Sequence, residues 1–312
     1  MAEVFDFAGY LSSDFDEDLS RMAQYGKRST GFENLSDKQN FFPGLYVLGG
    51  LPGMGKTTFA LQMGFDLAVS GERVVYCSYE MSKVDLTARM LAREMKRHKI
   101  SVTAAQIKTR RFEGYYAECL SKVRDEIGQA VGGNFFGLEC SYTVEELIKK
   151  LKPEVKSAED KPFVAIVDYL QLVGTSDKKA TSARERIDSV LNQLKKFQLE
   201  NGATIILLSS FNRESNKNST LDTKLSSFKE SGGIEYTADV LWGLQPEDAT
   251  NRGIGDYENF MLEKPRRVEL SCLKNRYGGL YKVKFDYYSA NDYFECIKEE
   301  TAEKKSKPRM TI

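Results

Sequence analysis

Histidine and tryptophan each occur once in these 312 residues, and the five cysteines are scattered with no CxxC spacing. A lone histidine, His98 in the charged stretch REMKRHK, reads as a solvated cation at a helix end, so neither histidine catalysis nor histidine metal ligation is expected. Cys77, Cys119, Cys140, Cys272 and Cys296 are an odd set, read as reduced, mostly buried small hydrophobes rather than a zinc site or disulfide framework. Charge of one sign is missing too. The 45 basic residues balance 45 acidic ones, so no bulk field draws the chain to nucleic acid, and any basic surface must be local. No apolar run reaches the roughly 18 residues that a membrane span needs. The opening MAEVFDFAGY lacks a basic leader segment. Neither a membrane span nor a signal peptide is expected, which makes the cytoplasm the expected location.

What the chain does have is a segment from Gly44 to Leu67 that reads as apolar strand, glycine-rich loop and helix. Within it, Gly50, Leu51, Pro52, Gly53, Met54, Gly55, Lys56 and Thr57 fit the phosphate-binding pattern GxxxxGK[ST]. The glycines permit backbone conformations that turn several N–H groups onto phosphate oxygens, and the following helix adds the positive end of its dipole. Lys56 is expected to reach the β and γ phosphates and Thr57 to hold a bridging Mg²⁺. The nucleotide-contacting set is therefore Gly50, Pro52, Gly53, Met54, Gly55, Lys56, Thr57 and Thr58, with ATP and Mg²⁺ as the expected ligands.

The rest of the chain alternates strand and helix. Residues 1–28 turn from acidic to basic, and Phe15, Leu19, Met22 and Tyr25 recur at helical spacing, which predicts a short amphipathic helix on an arm. Apolar runs predict buried strands at Arg73–Tyr79, ended by Glu80, at Phe163–Asp168 and at Ala203–Ser209. Helices are expected at Ser82–Lys96, from the capping box at Thr143 through Leu151, and at Ala183–Glu200. Residues 101–130 look helical and charged, without an assigned role. Lys152–Pro162 reads as a charged, proline-bounded loop, and Phe135–Leu138 as a short strand. Ala238–Leu244, Val268–Leu273 and Tyr281–Tyr287 complete the strands, the last two as a hairpin through Asn275–Gly279. This order predicts an α/β fold with a mostly parallel central sheet flanked by helices. Ligands in such folds bind at the carboxyl ends of strands, where the loop, Glu80, Asp168 and Ser210 all fall. The tail from Glu299 has almost nothing apolar and is expected to be disordered.

These residues resemble the RecA-like ATPase domain of DnaB-type replicative helicases, over about residues 29–290. Thr30, Gly31, Phe32 and Leu35 look like that family's entry segment, and Cys77–Met81 like its strand ending in a catalytic glutamate. Ile166–Leu172 is similar to its Walker B segment, Leu208–Arg213 to its sensor strand, and Lys229–Glu235 with Ala238 and Asp239 to the segment after its DNA loop. Leu273–Gly278 resembles its K-x-R-x-G finger. The resemblance implies a P-loop NTPase in which Asp168 orients Mg²⁺ and Glu80 polarises the attacking water. It implies that Lys274 and Arg276 cross a subunit boundary to the neighbour's γ phosphate, which requires a homo-oligomer, expected as a hexameric ring. Single-stranded DNA would meet two polar loops, one with Lys178, Lys179 and Arg184, the other with Arg213, Lys217, Lys224 and Lys229.

Departures from the family pattern qualify what the resemblance implies. Ser210 stands where the family usually has a glutamine. Residues 1–28 hold no counterpart of the family's N-terminal domain, so primase binding is not implied, and the arm around Phe7–Tyr25 instead resembles a linker helix lent to a neighbour. A tail of charged residues, 291–312, follows the ATPase domain. The brevity of the chain points by analogy to a phage, plasmid or other mobile element. The expected function is an ATP-driven ring helicase moving on single-stranded DNA. The alternatives are a RecA-family DNA-binding ATPase without unwinding, such as a loader or recombination accessory, and a nucleotide-switched assembly protein.

Overall fold

Burial on both faces explains why the apolar runs become the strands of one sheet, since a strand covered by helices on each side has no polar face to present. The computed structural model describes residues 5–111, 113–159, 161–211, 221–223, 225–228 and 232–297. The chain begins with α1 (Phe7–Ser13), α2 (Phe15–Ala23) and α3 (Glu33–Ser36), then enters the sheet at β1 (Gly44–Gly50) and leaves it into α4 (Lys56–Val69). β2 (Arg73–Ser78), α5 (Lys83–Arg97), α6 (Ala104–Thr109), α7 (Tyr115–Val131), β3 (Phe135–Glu139) and α8 (Val144–Ser157) follow. Next come β4 (Phe163–Asp168), α9 (Ala183–Asn201), β5 (Thr204–Ser210), α10 (Gly232–Thr237) and β6 (Val240–Pro246). The chain closes with α11 (Tyr257–Leu262), β7 (Arg266–Asn275), β8 (Lys282–Tyr288) and β9 (Tyr293–Cys296).

Nine strands form a single sheet in the order β3-β2-β4-β5-β1-β6-β7-β8-β9. Pairing is parallel from β3 to β6 and antiparallel from β6 to β9. β1, β4 and β6 are buried along their whole length. The parallel part therefore brings the carboxyl ends of β1, β2, β4 and β5 to one edge, which positions the site.

The expected mostly parallel α/β fold is present, and local reading fails in three places. The segment after Leu151, expected as a loop, continues α8 to Ser157 with Pro153 inside the helix. Its last turns are held by the Arg73–Glu154 ion pair at 2.6 Å and by burial of Ala158, so tertiary contacts outweigh the proline. The arm forms two short helices rather than one, with no buried residue in either. β9 was not anticipated, being only four residues long. Its Phe294 is fixed by the Gln62 amide, which donates to the Phe294 carbonyl at 2.9 Å and accepts from its N–H at 3.0 Å. The tail expected to be disordered, from Glu299, lies outside the described residues. Among the described residues no helix is long and apolar enough to cross a membrane.

One buried ion pair ties the arm to the sheet. Arg28 and Glu72 have side chains only 3% and 5% exposed, and the guanidinium also donates to the Phe41 carbonyl at 2.7 Å and the Thr204 hydroxyl at 2.8 Å. Removing one partner leaves a desolvated charge uncompensated. Arg28→Ala is therefore expected to destabilise the fold by about 3–5 kcal/mol in urea denaturation, and replacing both residues by methionine should return much of that loss.

Candidate active site

The phosphate loop is shaped by two left-handed glycines, Gly53 at φ 77° and Gly55 at φ 88°. Both are also pressed from outside. A Cβ on Gly55 would lie 2.8 Å from the ring carbons of Tyr287 and Phe294, and one on Gly53 would collide with Met261. Any side chain at either position would therefore be strained and crowded at once. Further bonds hold the loop in place: Arg266 donates to the Gly53 carbonyl at 3.1 Å, and the Tyr257 hydroxyl donates to that of Pro52. α4 starts directly at Lys56, so its unpaired N–H groups and positive dipole end face the loop's concavity. The Lys56 ammonium folds back onto the carbonyls of Gly50 at 2.8 Å and Leu51 at 3.2 Å. Desolvation lowers its pKa to about 8, against the attraction of Asp168 and Glu80.

Asp168, at the carboxyl end of β4, accepts from the Tyr76 hydroxyl at 2.7 Å and is also hydrogen-bonded to the Thr57 side chain. Burial pushes its carboxyl pKa up, and the Tyr76 and Thr57 bonds oppose that shift. A cavity of about 530 Å³ opens here, lined by Pro52, Gly53, Gly55, Lys56, Thr57 and Thr58 of the loop together with Glu80, Asp168 and Ser210. The donor set fits a magnesium nucleotide: inward N–H groups and an ammonium for phosphates, a hydroxyl and a carboxylate for a hard cation. Glu80 is exposed at the rim, past the end of β2.

A family model described as the DnaB-like helicase C terminal domain matches residues 28–296. The chain belongs to this DnaB-like helicase family. It is 31% identical over 243 residues to a replicative DNA helicase DnaB of Helicobacter pylori, covering 77% of this chain and 48% of that protein. It is 28% identical over 257 residues to a probable plasmid replicative DNA helicase of Chlamydia psittaci, covering 81% and 51%. The chain thus spans about half the length of these curated relatives. Among solved structures, one described as an ATPase domain superposes with a TM-score of 0.79 at 22% identity, covering 95% of this chain and 100% of that one. A DnaB-like replicative helicase, described with its interactions with primase, superposes at 0.78 and 22% identity, covering 95% and 68%. These likenesses place the fold as that of DnaB-type RecA-like ATPase domains.

Not every expected residue of this DnaB-like chain meets the cavity. Met54 packs its side chain into the core, and Gly50 is buried where a Cβ would press on the Leu244 carbonyl, so neither offers a side chain to the cavity. Lys274 and Arg276 lie at the opposite edge of the sheet. Lys274 donates to the carbonyls of Glu235 at 2.6 Å and Ala238 at 2.7 Å, and Arg276 pairs with Asp239 at 3.1 Å. Lys178 and Lys179 are exposed on the segment between β4 and α9 and Arg184 is exposed in the first turn of α9, while Arg213, Lys217, Lys224 and Lys229 lie outside the described residues.

Sequence reading missed Arg89, Arg266, Tyr287, Ser289 and Asp292, which also line the cavity. Their placement depends on α5 and the C-terminal strands folding back over the loop, which no local pattern announces. Gln171 was missed as well. Its amide donates to the Ser209 hydroxyl at 3.0 Å and the Ser210 carbonyl at 3.1 Å, and accepts from the Ser210 N–H at 3.3 Å.

Phosphate binding needs Lys56 charged, and bound phosphate raises its pKa again. ADP affinity should therefore fall about tenfold per pH unit above about pH 8, because binding then requires uptake of a proton. Calorimetric titration across pH 7–10 reads this, and Lys56→Arg, which stays protonated throughout, should flatten the slope.

Proposed function

We propose that this chain is the motor domain of an ATP-driven helicase that assembles as a ring, expected to be hexameric, and moves on single-stranded DNA. The observation that carries the reading is one of separation. The phosphate loop, Asp168 and Glu80 share a cavity, while Lys274 and Arg276 stand at the other edge of the sheet. Arg266 touches the loop at one end of β7 and Lys274 lies eight residues further along that strand, about 27 Å away at strand rise. No rotamer of Lys274 spans that gap. If these cations meet a γ phosphate, it is a neighbour's.

Within the cavity the roles follow from position. Lys56 and the loop N–H groups hold the β and γ phosphates, and Thr57 with Asp168 would hold Mg²⁺, which supplies charge neutralisation between them. Tyr76 keeps the Asp168 carboxylate oriented. Glu80, at the open rim, orients and polarises the attacking water. Lys274 and Arg276 of the adjacent copy stabilise the charge that develops on the transferred phosphoryl group.

Two further features support assembly and DNA contact. α1 and α2 expose Phe7, Leu11, Phe15, Leu19 and Met22 and bury nothing of their own, which suits an arm lent to a neighbouring copy. The segment bearing Lys178 and Lys179 is anchored by Glu145, which accepts from Gln193 at 2.6 Å, the Thr175 hydroxyl at 2.8 Å and the Ser176 N–H at 3.0 Å. Although partial burial opposes ionisation, these bonds hold the Glu145 carboxyl near a pKa of about 2. An anchored loop with exposed lysines suits sequence-independent backbone tracking. The alternative of a non-unwinding ATPase rests on Ser210, and the Gln171 amide bonded to that residue weakens it.

Subunit mixing tests the reading. Lys56→Ala and Lys274→Ala should each lose ATP turnover by about 10³-fold or more, the second while retaining nucleotide binding. Mixed together they should regain turnover, because some interfaces then combine an intact loop with an intact finger. Wild-type specific activity should rise with protein concentration and with single-stranded DNA. Full activity of Lys274→Ala alone would defeat the shared-site reading.

A further inference from the structure

The cavity is also lined by Asp292, a carboxylate to which none of the roles above assigns a task. Asp292 lies in the turn between β8 and β9, held in left-handed backbone at φ 49°. The turn is fixed by the Asn291 N–H donating to the Tyr288 carbonyl at 3.0 Å and the Asn291 amide donating to that of Val102 at 3.1 Å. Asp292 Oδ1 accepts from the Thr58 hydroxyl at 3.0 Å and from Arg89 Nη1 at 2.5 Å. Among the described residues its second oxygen, Oδ2, has no hydrogen-bond partner. The side chain is 9% exposed, and that exposure opens into the cavity.

A carboxylate beside a polyphosphate site is electrostatically costly, and Arg89 offsets the charge without removing the group. Its presence calls for a donor on the ligand. Lys56 and Thr57 set the polarity of a bound nucleotide: the β and γ phosphates meet these two residues and the nucleoside leaves past Thr58, whose hydroxyl bonds Asp292. At neutral pH the phosphates are mainly ionised and accept rather than donate. The nucleoside donors are the ribose hydroxyls and, for adenine, the exocyclic amine. The planar groups that suit a base are Tyr287, stacked on Phe294 with centroids 4.2 Å apart, and the Arg266 guanidinium 5.7 Å from the Tyr287 ring centre. Thr58 directly follows the phosphate-gripping residues, so Asp292 sits at the junction of phosphate and sugar. Carboxylates placed next to a phosphate-binding turn accept ribose hydroxyls in the dinucleotide-binding folds by the same logic.

We infer that Asp292 recognises the ribose hydroxyls of the bound nucleotide and makes this cavity selective for ribonucleotides over their deoxy counterparts, an assignment that rests on the nucleotide-site reading above. Arg89 acts as a positioning residue that aims the carboxylate through its bond to Oδ1.

The test is equilibrium binding of ADP, 2′-deoxyADP and 3′-deoxyADP to the full chain by calorimetry, so that turnover does not enter. The wild-type protein should bind ADP about tenfold or more tightly than one or both analogues. In Asp292→Ala that ratio should fall to within about twofold, whatever happens to the affinity for ADP itself. Asp292→Asn, which preserves shape and one acceptor, should give an intermediate ratio and serves if the alanine variant does not fold. Equal wild-type affinity for all three ligands overturns the assignment, as does an unchanged ratio in both variants. Absence of any ADP binding would instead sink the nucleotide-site reading beneath it.

Discussion

The contact between Gly55 and the stacked rings of Tyr287 and Phe294 is the constraint on which the site depends. A loop with two left-handed glycines is entropically costly to fix and has little in its own sequence to hold it. The chain supplies the clamp from far away: β8, β9 and α11 close over the loop, and Arg266 and Tyr257 take its carbonyls. The parallel strands deliver the candidate catalytic residues to one edge, and the antiparallel extension holds the glycine loop in shape. Neither half alone makes the site.

Electrostatically the cavity is a place of opposed strain. Lys56 is pushed toward its neutral form and so is Asp168, both by loss of water. Each charge is only partly compensated by protein groups, and the Lys56 ammonium falls back on backbone carbonyls. A ligand carrying several negative charges together with a divalent cation relieves both. This is the physical sense in which the residues are complementary to a magnesium nucleotide rather than to a neutral metabolite.

Much of this was legible in the sequence, for identifiable reasons. The loop, Asp168 and Glu80 follow strands whose apolar runs have no alternative reading, so their convergence is dictated by parallel topology. Local signals failed where distant contacts decided. Pro153 should end a helix, yet Arg73 and Ala158 keep α8 going. β9 is too short to show a period; it forms by pairing with β8 and is pinned at Phe294 by Gln62 on another element. Arg89 and Asp292 are ordinary surface residues in the sequence, and their pairing spans 203 positions. Ser210 read as a missing amide, while the Gln171 amide, from just past β4, is bonded to the Ser210 backbone.

β7 joins two places that differ in purpose. At one end Arg266 grips the phosphate loop of its own subunit, and at the other Lys274 and Arg276 are braced against the end of α10 and Asp239. A central strand hydrogen-bonded on both sides is stiff along its length. In a closed circle of such copies it would behave as a strut, so that a shift at one phosphate loop is passed undamped to the far end. The order in which successive sites fire would then be a mechanical property of the sheet, set by its rigidity rather than by diffusion of any messenger.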